Sequence, residues 1–98
     1  MFRSLLFFIF CTQIGIAQVS LIKGKVVSKN SPLSGASIII NRTKKGTITD
    51  QFGNFSLDIT NIKNPKITIS YLGHKSFNQK IKPNQKNLGT IELILDDQ

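Results

Sequence analysis

The residues able to do chemistry are few. The chain has one histidine, His74, one cysteine, Cys11, and five carboxylates. Asp50, Asn54 and Asp58 set three oxygen side chains at intervals of four, an array that could in principle ligate calcium. A calcium loop closes on a bidentate Glu and carries more acids than this run supplies, so the three read as turn and strand groups instead. His74 has no Cys, Asp or second His within motif reach, which leaves neither a metal set nor a triad. It follows Gly73 and reads as a solvent-exposed turn histidine. No serine stands in an elbow motif or beside a paired base. The sequence therefore assigns no catalytic residue, no metal ligand and no cofactor.

These groups belong to a 98-residue chain with a net charge of +8, the size of one small domain. Residues 1–17 differ from the rest. Arg3 precedes an apolar stretch, Leu5–Phe10, and Gly15 and Ala17 place small side chains at −3 and −1 of a cleavage site before Gln18. That is the pattern of a secretory signal, with residues 18–98 as the mature body. A lipid anchor on Cys11 is disfavoured, because Phe10 stands where a small residue is needed. Cleavage removes Cys11 and leaves the body without a thiol, which suits an oxidising compartment. Arg3 leaves too, so the body carries +7. No apolar run reaches the roughly 18–20 residues of a membrane-spanning helix, so the mature chain is expected to hold no membrane-spanning segment.

The body must position its polar groups with strands. Asn54–Ile59 alternates strictly, with Phe55, Leu57 and Ile59 on one face and Ser56 and Asp58 on the other. Lys66–Leu72 groups Ile67, Ile69 and Tyr71, and Leu88–Leu95 groups Ile91, Leu93 and Leu95. Ser20–Ser28, Thr47–Thr49 and Lys75–Ile81 add further strands. Ala36–Asn41 is a continuous β-branched run, suited to a strand buried on both faces. Turn formers separate these runs: Lys29–Gly35, Arg42–Gly46, and above all Asp50-Gln-Phe-Gly53. No window keeps helical period over three turns. About seven strands near ten-residue spacing predict an all-β sandwich.

The ordered motifs carry a resemblance. Pro32-Leu33-x-Gly35-Ala36, then Gly46-Thr47-x-Thr49-Asp50-x-x-Gly53-x-Phe55-x-Leu57, then Ile69-Ser70-Tyr71-Leu72-Gly73-His74-Lys75 resemble the carboxypeptidase regulatory-like domain. The version most similar is the N-terminal extension of TonB-dependent outer-membrane receptors. The resemblance runs from Ile22 to Leu95 and implies a seven-stranded Greek-key sandwich of the transthyretin (prealbumin) type. On the physical reading, Gly35, Gly46, Gly53 and Gly73 occupy strand ends that need positive φ. Asp50 caps its turn, while Phe55, Leu57, Ile69 and Tyr71 fill the core. Phe52, at the turn tip, is the candidate exposed contact. The resemblance is to an accessory sandwich and not to a zinc peptidase: one His and one Glu, Glu92, cannot supply a catalytic zinc site.

The eleven lysines are spread along the body, a pattern that reads as solubility and edge protection, with weak attraction to anionic headgroups as the lesser alternative. Only Arg42, Lys44 and Lys45 cluster, without aromatics, so nucleic acid is not an expected partner. The expectation is a non-enzymatic, exported accessory module of the Gram-negative envelope, periplasmic or associated with the outer membrane. Its partners would be envelope proteins, a TonB-dependent transport system among them. It would work either as a stand-alone adaptor or as the front of a receptor whose plug and barrel follow Gln98. A surface carbohydrate- or peptide-binding module is the alternative, for which one exposed aromatic is a thin platform.

Overall fold

The computed structural model describes residues 19–96. The secretory-signal reading of residues 1–17 lies outside the described residues. Eight strands follow in chain order: β1 (Leu21–Ser28), β2 (Ser31–Pro32), β3 (Ser37–Ile40), β4 (Gly46–Ile48), β5 (Asn54–Asp58), β6 (Lys66–Ser70), β7 (Phe77–Lys80) and β8 (Asn87–Glu92). No helix occurs among the described residues.

The first sheet is organised by β1. Its Leu21–Lys25 stretch pairs antiparallel with β5, and its Val27–Ser28 end pairs with β2. β8 runs parallel to β1 from Lys23 to Val27, overlapping both of those registers. A strand has only two edges, so β8 takes the one that β5 and β2 leave free. The second sheet is antiparallel throughout, in the order β4-β3-β6-β7. Packed face to face, the two sheets make the all-β sandwich expected from the alternation. Ile22, Val26, Ile38, Ile40, Ile67 and Ile69 are the largest fully buried side chains, with Phe55, Leu57, Ile91 and Leu93 beside them. Burying each such side chain favours folding by about 1.5–3 kcal/mol.

Several details differ from the sequence reading. The count is eight rather than about seven, because Lys29 and Asn30 both take positive φ (49° and 66°) and close a two-residue hairpin that makes β2. The Ala36–Asn41 run is not buried on both faces. Ile38 and Ile40 point inward, while Ile39 is 41% exposed on the outer face. A two-layer sandwich leaves each sheet one wet face, and isoleucine appears there because it suits the pleated backbone. Tyr71 is a further correction: it lies past the end of β6 and is only partly buried against the core. Leu95 is exposed rather than packed, because the chain leaves the sheet after Leu93. Ile94 O then accepts the Lys75 N–H at 2.8 Å and Gly73 O accepts the Asp96 N–H at 2.9 Å. This tail stitches the first sheet to the β6–β7 corner of the second.

Candidate functional site

The Asp50–Gly53 turn is built from the backbone outward. One carboxylate oxygen, Asp50 Oδ1, accepts the N–H groups of Phe52 and Asn54, each at 2.9 Å. The Gly53 N–H donates to Asp50 O at 2.9 Å, closing the turn. Gly53 has φ +80, and a Cβ there would lie 2.5 Å from Val26 O, so close approach as well as conformation requires glycine. The turn holds Phe52 out, 58% exposed, while Phe55 and Leu57 enter the core.

Beside this turn lies an anchor that sequence reasoning missed. Thr49 is buried, its Oγ1 accepts the Ala36 N–H at 2.9 Å, and its hydroxyl donates to Leu33 O at 2.6 Å. The loop between β2 and β3 is thereby tied to the strand end that feeds the turn. A threonine next to a turn aspartate was the only signal available.

Two of the chosen glycines have open space instead: Gly35 (φ +85) and Gly73 (φ +76) would meet nothing within 4 Å. Gly46 corrects the expectation of positive φ. It is the first residue of β4, a strand end as expected, and glycine is required there because a Cβ would lie 2.5 Å from Ile38 O and 2.7 Å from the Ile39 side chain.

The calcium-type array does not assemble. Asp50 is committed to its turn, and Asp58 Oδ1 accepts both the hydroxyl and the N–H of Thr60. The Thr60 hydroxyl, and then its N–H, hold the Asp58 carboxyl below its ordinary range. Among the described residues, no three His, Cys, Asp or Glu side chains are placed to share a metal.

His74 is the other correction, for it is half-buried rather than free in solvent. Its Nδ1 lies 3.0 Å from Leu72 O and its Nε2 lies 2.9 Å from Ser28 Oγ. A carbonyl can only accept, so Nδ1 carries a proton and donates it to Leu72 O, while Nε2 is hydrogen-bonded to the Ser28 hydroxyl. The ring also stands edge-on to Tyr71, with centroids 5.3 Å apart. Serine and imidazole meet here as in a nucleophilic dyad. His74 lines a shallow hollow with Gly35, Ser37, Ser70 and Tyr71, but Ser28 does not, so the serine lies outside that hollow and the pair serves to join the end of β1 to the β6–β7 turn. Leu72, just before that turn, is 92% exposed, and Ile94 nearby is 65% exposed. These apolar side chains were not singled out from the sequence, where Leu72 reads only as the end of a strand.

Among solved structures, the chain resembles two from type II Cohesin-X-Dockerin complexes of Acetivibrio cellulolyticus. One is an N-terminal interface mutant (TM-score 0.68, 16% identity) and the other a C-terminal interface mutant (TM-score 0.64, 18% identity). Each match covers 80% of this chain and 59% of that one, and at such identity it speaks to the fold alone. No curated protein matches the sequence. A family model described as CarboxypepD_reg-like domain matches residues 22–98, nearly the whole span of the sandwich, and the chain belongs to that family.

Proposed function

We propose that the chain is a non-enzymatic accessory module of the Gram-negative cell envelope, exported and acting by protein contact, as in the N-terminal extension of a TonB-dependent receptor. The observation that carries this reading is where the reactive groups go. Asp50, Asp58, His74 and Thr49 are each spent on backbone or neighbouring side chains, while Leu72 and Phe52 are large apolar side chains left exposed on turns. Groups committed to holding turns are not available to a substrate, whereas exposed apolar side chains on fixed turns suit a protein partner.

Two measurements test it. Mass spectrometry of the protein from an envelope fraction should find an N-terminus at Gln18; an intact Met1 there would remove the export reading. A photo-crosslinking residue placed at Leu72 in living cells should capture an envelope protein, and the same residue at exposed Ser56 should not. Equal labelling from both positions would count against a specific contact. The binding-module alternative draws on Phe52, exposed at the tip of a rigid turn. Saturable glycan binding abolished by Phe52→Ala would favour it over the contact reading.

A further inference from the structure

The lysines are scattered in the sequence, but the strand directions gather them. β1 and β8 both start at the end of the sandwich where β5 and β7 finish and where β6 starts. Arg42, Lys44 and Lys45 form the β3–β4 turn, and the Asn41 N–H donates to Lys66 O at 2.8 Å at this same end. Lys63 comes from the β5–β6 loop. Lys80, Lys82 and Lys86 come from the end of β7 and the loop after it. Lys23 joins them through its N–H, which donates to Lys86 O at 3.0 Å. Among the described acidic residues only Asp58, opposite Leu21, lies at this end. Asp50, Glu92 and Asp96 lie toward the other, with Lys25, Lys29 and Lys75.

Two features mark the basic end as more than a by-product of a basic composition. Lys66 and Lys80 are direct cross-strand partners, a like-charge pairing that works against the sheet's own stability. Lys23, Lys63, Lys82 and Lys86 also rim an open hollow whose floor includes Ile59, Ile62 and Ile81. Arg42, Asn61, Asn64 and Asn84 take positive φ, which keeps the surrounding turns tight.

We propose that this end docks on an anionic lipid surface, with the lysine heads among the headgroups. A protein partner is the weaker fit, since interface anchors are enriched in aromatic residues and arginine and depleted in lysine. The basic loops contain no aromatic residue and one arginine. Lysines on flexible stems, spread over several short loops, suit an array of mobile charges. In this orientation the Phe52 turn and the Leu72 corner, both at the opposite end, face away from the membrane and stay free. The inference stands on charge placement and does not depend on the identity of any protein partner.

The test uses the full chain and vesicles of phosphatidylcholine with or without phosphatidylglycerol. The readout is the gain in affinity conferred by phosphatidylglycerol over phosphatidylcholine alone, so that any contribution of the apolar leader common to both vesicles cancels. The triple variant Lys63→Gln, Lys82→Gln, Lys86→Gln removes three charges from the docking end. Lys25→Gln, Lys29→Gln, Lys75→Gln removes the same number from the other. At about fivefold per charge near the surface, the first variant should lose on the order of 100-fold of that gain. The second should lose less than about a tenth as much, and 0.5 M NaCl should abolish the gain in the wild type. Equal losses from the two variants would overturn oriented docking in favour of net charge alone. No gain from phosphatidylglycerol would overturn the lipid surface altogether. So would tight binding of poly-glutamate, lost in the first variant, by a protein that ignores vesicles. Five of the replaced lysines are exposed and Lys25 is partly so, and a circular dichroism spectrum checks that both variants fold.

Discussion

At the scale of single residues, the two kinds of glycine separate two costs. Gly53 and Gly73 both have positive φ, but a Cβ on Gly53 would collide with the Val26 carbonyl while one on Gly73 meets open space. Gly73→Ala should therefore cost only the left-handed penalty, about 1–2 kcal/mol. Gly53→Ala adds overpacking of about 1–3 kcal/mol and should be clearly worse in urea denaturation; equal midpoints would mean that the turn shifts to relieve the clash. Asp58 supplies a second residue-scale test. Thr60 depresses its pKa in the folded state, so its contribution to stability is present above the unfolded pKa and is lost as pH falls through the folded one. In Thr60→Val the Asp58 carboxyl, followed by NMR, should titrate at higher pH than in the wild type. An unchanged midpoint would show that the hydroxyl is not the cause.

At the scale of elements, the strands differ in how openly the sequence declares them. β5 was plain, because Phe55 and Leu57 alternate with Ser56 and Asp58 and the Asp50–Gly53 turn fixes where the strand starts. β3 was legible as a strand but not in its facing, because an unbroken isoleucine run carries no period-2 signal. Only its pairing with β4 and β6 reveals which side is wet. The distinction is measurable: Ile38→Ala should cost about 2–5 kcal/mol, whereas Ile39→Thr should stay within about 1 kcal/mol. Similar losses would mean that a partner or second layer covers the outer face. The Ser28–His74 and Thr49–Leu33 contacts were beyond reach of the sequence for a different reason. They join segments 46 and 16 residues apart, and nothing local in a lone His or Thr announces a distant partner.

At the scale of the whole molecule, the antiparallel layout converts a dispersed charge pattern into a polarised one. The β3–β4, β5–β6 and β7–β8 connections all bring lysines to the same end, so charges distant in sequence repel one another in space. The cost should be visible in stability. Lys66→Glu places a carboxylate opposite Lys80 and turns a cross-strand repulsion into an attraction. Pairs of this kind differ by roughly 0.2–1 kcal/mol on each side of neutrality. For a domain of this size about 1 kcal/mol corresponds to roughly 4–8 °C in Tm, so the variant should melt several degrees higher in low-salt buffer. Salt should act on the two proteins in opposite directions. Moderate NaCl relieves repulsion at the basic end and should raise the Tm of the wild type, while it screens the new attraction in Lys66→Glu and should shrink the gap between them. A gap that persists undiminished at 0.5 M NaCl would assign the effect to packing or strand propensity. A variant less stable than the wild type at low salt would mean that the basic end is already relieved by other means, and that its lysines do not strain the fold.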